Sequence, residues 1–215
     1  MSDENNSKDE IVNDNSSATE PEEEHRKKLS STNSPLLSSQ SDLVDLDIDE
    51  DLQKILYYAF DEATKKIENG EDMVPFTLTL AGDDVFMDEH PGDETEQCFD
   101  SAKKSVNLVA HLANAYVFCY DGFINTEDGE EYDMLICELG IKNEPKGNGY
   151  GLVYRINEDD DSVVFDEAML DLGEVDNLFD PDQVAAAEAI AEAYRNVERE
   201  EAGADSEEAG ESDSE

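Results

Sequence analysis

Residues 115–140 read AYVFCYDGFINTEDGEEYDMLICELG, and this stretch decides what kind of body the chain builds. Ala115, Tyr116, Val117, Phe118, Cys119 and Tyr120 are apolar at odd and even positions alike, so a strand made from them has no face to give to water. Such a strand belongs in the middle of a sheet, with something packed on each side. Asp128-Gly129 is a hairpin signal, and Tyr132, Met134, Leu135, Ile136, Cys137 and Leu139 beyond it supply the return arm. Asp121-Gly122 is expected to place a bulge or bend in the first arm.

Upstream of this hairpin, Leu52, Ile55, Leu56, Ala59, Phe60, Ala63 and Ile67 recur at three- and four-residue steps. That is one face of a helix beginning near Asp51 and stopping at Asn69-Gly70, with Asp49, Glu50 and Asp51 at its start and Lys65 and Lys66 at its end complementing the dipole. After Pro75, Phe76, Leu78 and Leu80 alternate with Thr77 and Thr79, and Gly82-Asp83-Asp84 turns the chain into a short arm of Val85, Phe86 and Met87. Asp93 with Glu96 reads as an N-cap followed three residues on by an acid. Cys98, Phe99, Ala102, Val106, Val109, Leu112 and Ala113 then trace a second helix ending near Asn114.

Downstream, Gly140, Gly147 and Gly149 read as a flexible connector leading to a strand from Tyr150 to Ile156, with Val163, Val164 and Phe165 as a further strand. The run Gly147-Asn148-Gly149-Tyr150-Gly151 does not match a phosphate-binding loop, which needs GxxxxGK between a strand and a helix. Leu170, Leu172 and Val175 alternate as in an edge strand or a packed loop. Asp180-Pro181-Asp182-Gln183 reads as N-cap, N1 proline and a glutamine at N3. Val184, Ala187, Ile190, Ala191, Tyr194 and Val197 are expected to line the buried face of the helix it opens. The order is helix, two strands, helix, four strands, helix, joined by turns too short for parallel crossovers. It predicts a single α+β domain over residues 45–200, a mostly antiparallel sheet with about three helices.

The chain carries 58 Asp and Glu against 14 Lys and Arg, a formal net charge of −44. Residues 1–50 hold −10, residues 51–197 hold −26 and residues 198–215 hold −8, so tails alone do not account for the acidity. Residues 1–44 and 201–215, rich in Ser, Asp, Glu and (in the first) Asn, are expected to be disordered acidic tails flanking the domain. A surface this negative repels nucleic-acid phosphate and anionic lipid, so the expected partner is a protein with a basic surface, not nucleic acid or a membrane. The start MSDENNSKDE lacks a basic and apolar leader pattern, and no run approaches the roughly 18 apolar residues of a membrane span. Cys98, Cys119 and Cys137 are odd in number and set in apolar patterns, which suits reduced core thiols and a cytoplasmic location.

Chemistry-bearing patterns are sparse. His25, His90 and His111 are the only histidines, no GxSxG is present, and no residue is assigned a catalytic, cofactor-binding or metal-binding role. Asp45, Asp47, Asp49 and Asp51 alternate like calcium-loop ligands, but Leu52 and Tyr58 stand where the turn glycine and closing glutamate belong. Asp159, Asp160 and Asp161 suit a solvated turn, while Asp88, Glu89 and His90, and Asp121 with Asp133, are weaker metal-capable sets. Leu43, Val44, Leu46 and Ile48, interleaved with Asp42, Asp45, Asp47 and Asp49, form a candidate strand for adding to a partner's sheet, or for packing back on the domain. The function expected is therefore a non-enzymatic protein–protein interaction module. The alternatives are a charge-mimic inhibitor of a basic nucleic-acid-binding protein and a carboxylate-based divalent-metal enzyme.

Overall fold

The computed structural model describes residues 27–29, 46, 48–125, 129–157 and 162–208. Among them the chain forms β1 (Lys27–Leu29), α1 (Glu50–Glu68), β2 (Phe76–Ala81), β3 (Asp84–Glu89), α2 (Thr95–Leu108), β4 (Ala115–Asn125), β5 (Glu131–Ile141), β6 (Lys146–Ile156), β7 (Val163–Phe165), β8 (Leu170–Asp176) and α3 (Pro181–Glu208). All eight strands belong to one antiparallel sheet in the order β1-β3-β2-β4-β5-β6, and β7 and β8 follow one another along the outer edge of β6. This is the expected α+β domain. The segment left open between edge strand and loop is the strand β8. Lys27–Leu29, within the stretch expected to be a tail, pairs with β3, and α3 continues past residue 200 to Glu208.

β4 lies between β2 and β5 and is buried on both faces, as its composition requires. Ala115, Val117 and Cys119 point to α1, where Ile55, Leu56, Ala59, Phe60 and Ala63 cover them together with Phe76, Leu78, Leu135, Cys137 and Leu139. Tyr116 and Phe118 point the other way, against Ala102, Val106, Ala110 and Ala113 from α2 and its following turn, and Leu178, Phe179 and Val184 at the approach to α3. The three cysteines are all buried, with Cys119 directly opposite Cys137 across β4 and β5.

Local signals explain the helix ends. Asp49 caps α1 by accepting the Asp51 amide at 2.9 Å, and Gly70 leaves the helix at φ 67°, a conformation open to glycine at little cost. Asp180 caps α3 through the amides of Asp182 and Gln183 at 3.0 and 3.3 Å. α2 departs from expectation at both ends. Its N-cap is Glu94 rather than Asp93, with no side-chain capping bond, and regular helix stops at Leu108, short of Asn114. The chain turns early because Ala110 and Ala113 seat against the sheet, while Leu108 and Leu112 are left exposed.

Two glycine readings are corrected. Asp121-Gly122 introduces no bulge: β4 pairs with β5 without interruption from Ala115 to Asn125. The irregularity lies instead between β6 and β8, where the register shifts between Gly149 and Tyr150. Nor are Gly140, Gly147 and Gly149 a flexible connector, since Gly140 lies within β5 and the other two, with Gly151, within β6. They serve close approach. A Cβ at Gly151 would lie 2.4 Å from Met134 Sδ, and one at Gly140 would lie 2.3 Å from the Tyr116 ring. These glycines share the face that carries Tyr116, so large side chains lie flat across the sheet there.

One buried side chain ties α2 to the chain entering α3. Asn107, 4 % exposed, donates to the carbonyls of Lys103 and Leu178 at 2.7 and 2.8 Å and accepts the Asp180 amide at 2.8 Å. Tyr116 adds a second tie by accepting the Leu178 amide at 2.8 Å. Asn107→Ala leaves a buried carbonyl and amide unpaired, so we expect a loss of about 2–3 kcal/mol and a fall in melting temperature of roughly 4–12 °C. A shift within about 1 °C in a thermal melt would contradict this account of the anchor.

Candidate interaction surface

The helix α3 is held by its first turns and then leaves the body. Val184 is buried at 3 % exposure and Ala187 packs on the same cluster, while Lys142 bridges the Ala110 carbonyl at 3.1 Å and Glu188 at 3.2 Å. Beyond this point Ile190, Tyr194 and Val197 are 59 %, 70 % and 53 % exposed. The expectation that all six apolar positions line one buried face is thus overturned. Helical angle does not separate the two groups: at about 100° per residue, Ala187, which packs on the cluster, and the exposed Tyr194 lie roughly 20° apart.

What keeps the projecting part helical is local. Six alanines between Ala185 and Ala193 are the strongest helix formers available, and the Asp180 cap with Pro181 satisfies the first turn. By sequence the helix carries nine acidic and two basic residues.

A second surface lies where β2 ends. Pro75 has no amide hydrogen to donate, and β2 starts only at Phe76, opposite Cys119. A cleft of about 210 Å³ opens there, lined by Phe99, Phe118 and Tyr120 with Gly92, Asp93 and Glu94 at its rim. The three rings pack on one another, Phe99 meeting Phe118 and Tyr120 edge-on at centroid distances of 4.9 and 5.3 Å.

Polar groups around the cleft are engaged with each other. Tyr120 donates to the buried Glu138 at 2.8 Å, and burial raises both groups above their ordinary values. On the α1 face of the sheet, Tyr154 donates to Asp121 at 3.0 Å. His90, 2 % exposed, contacts Thr77 Oγ1 through Nε2 at 2.9 Å and Ser101 Oγ through Nδ1 at 3.0 Å. With both ring nitrogens occupied and burial lowering its pKa to about 4 against the opposing effect of Asp88, His90 is a neutral structural bridge. That is a poor arrangement for a general base.

Asp121 and Asp133 share one face of the β4–β5 pair and lie close enough to repel, while the members of the other set are each engaged within the fold. Asp88 accepts from Ser105 at 2.6 Å, Glu89 pairs with Lys66 at 2.7 Å, and His90 is bound as described. Among the described residues no three His, Cys, Asp or Glu side chains converge as a metal site. Asp159, Asp160 and Asp161 lie outside the described residues. In the candidate partner strand, Leu46 and Ile48 pack against the α1 core, and their carbonyls accept from Gln53 Nε2 at 2.8 and 3.0 Å. Leu43 and Val44 lie outside the described residues. No described helix is long and apolar enough to cross a membrane.

The His90 bridge has a pH consequence. Its folded-state pKa near 4 lies below the ordinary 6.5, so the unfolded chain takes up the proton first. Its contribution to stability is full above pH 6.5 and is lost as pH falls towards 4. Urea midpoints across that window should fall for the wild type relative to His90→Gln, whose curve lacks this component. Parallel curves for the two proteins would contradict the assignment.

No family model, curated protein or solved structure matches this chain, so its functional reading rests on its own geometry.

Proposed function

We propose that this protein is a non-enzymatic interaction module that docks α3 into an apolar groove rimmed by basic residues on a protein partner. The observation that carries the reading is the line of Ile190, Tyr194 and Val197, spaced i, i+4, i+7 and more than half exposed on a helix whose first turns are seated on the core. That spacing is the pattern by which an amphipathic helix fills a groove. Covering each side chain contributes about 1.5–3 kcal/mol before the costs of association.

Charge selects the occupant. Nine acids against two bases along α3, on a chain of net −44, oppose a second copy and an anionic lipid surface and steer a cationic one towards the helix. The neutral, buried state of His90 between Thr77 and Ser101 and the mutual pairing of Glu138 with Tyr120 support a binding role over catalysis, because each group is committed to a contact within the fold.

The test uses the full chain in a pull-down from native lysate, comparing wild type with Ile190→Gln/Tyr194→Gln/Val197→Gln. Glutamine preserves helix propensity. A control, Ala189→Gln/Ala193→Gln, alters exposed positions on another side of the helix. We expect a protein retained by wild type and control to be lost from the triple variant, with all three melting alike. Equal retention by all three, or no retained protein, would overturn the proposal.

A further inference from the structure

Sheet neighbours are unequal along β4. Residues 115–119 pair with β2 on one side and β5 on the other, whereas residues 120–125 pair with β5 alone among the described residues. The cause is in the sequence. Pro75 ends β2 opposite Tyr120, and the chain before it turns away through the Val74 amide to the Asp72 carbonyl at 3.0 Å. The strand position that β2 vacates lies beside the aromatic cleft, which Pro75 and Asp121 both line.

We infer that this open edge of β4 binds an extended, lysine- or arginine-bearing peptide by strand addition, one basic side chain entering the cleft over Phe99 and Tyr120. Side chains directly opposite one another on paired strands point to the same face, so a residue opposite Tyr120 points towards the cleft. The rings accept the aliphatic stem, and the exposed carboxylates of Asp93 and Glu94 stand at the rim to meet its cationic end. Main-chain pairing along residues 121–125 provides binding that is independent of peptide sequence, and the cleft with its acids selects charge. Phe123, 59 % exposed on the same stretch of β4, offers an apolar contact on the opposite face. This surface is separate from the α3 line and does not depend on it.

A chain this acidic attracts any cationic peptide, so the test separates strand addition from charge alone. The probe is a fluorescein-labelled octapeptide of alternating valine and lysine, measured at about 0.3 M salt to screen distant charges. Its comparison is the same peptide with alternate amides N-methylated, which keeps the charge and removes the ladder donors. We expect at least about tenfold weaker binding of the methylated peptide. The probe should slow amide exchange in residues 121–125. Asp93→Lys/Glu94→Lys, at two exposed positions, should weaken the unmethylated peptide by a similar factor, and the α3 triple variant should bind it as the wild type does. Absence of binding, equal affinity for the two peptides, or protection that spares residues 121–125 would overturn the inference.

Discussion

The rest of the structure depends on β4 being buried on both faces. A strand with Val117 and Cys119 on one side and Tyr116 and Phe118 on the other is stable only between two apolar layers, and each layer is supplied by a different part of the chain. The helix α1, which follows β1 and precedes the other seven strands, covers one side. The other side is assembled late, from α2 and from the segment at Leu178 and Phe179 that Asn107 and Tyr116 hold in place. The same strand therefore specifies both cores and the point from which α3 departs.

That departure connects the fold to its proposed role. Val184 and the Lys142–Glu188 pair seat the first turns of α3, and beyond them the apolar line of Ile190, Tyr194 and Val197 is left exposed. Acidity complements this arrangement. A negative body repels copies of itself and disfavours indiscriminate association through exposed apolar groups, while it attracts a groove with a basic rim. The stretch of β4 that pairs with β5 alone among the described residues borders an apolar recess with carboxylates at its rim.

Much of the fold was legible in the sequence because local and tertiary preferences agreed. The period of α1, the two-faced composition of β4, the turn at Gly82 and the cap at Asp180 each carry their meaning within a few residues. The failures have a common cause. Gly147, Gly149 and Gly151 resemble a loop locally, and only the approach of Met134, Leu172 and Val175 shows that they belong in a strand. α2 stops early for a tertiary reason, the seating of Ala110 and Ala113. The sites were less legible still. Ile190, Tyr194 and Val197 are indistinguishable in composition from core residues. The cleft is invisible in sequence because Pro75, Phe99 and Tyr120 meet only across three elements.

A rigid body built on β4 presents residues 190–197 of α3 without tertiary support among the described residues. Amide hydrogen exchange on the free full chain tests it most directly, since exchange reports the free energy of local opening. The account predicts the slowest exchange in residues 115–119 and 135–139, and exchange faster by orders of magnitude in residues 190–197. Protection of residues 190–197 equal to that of β4 would contradict it, because the apolar line would then already be buried.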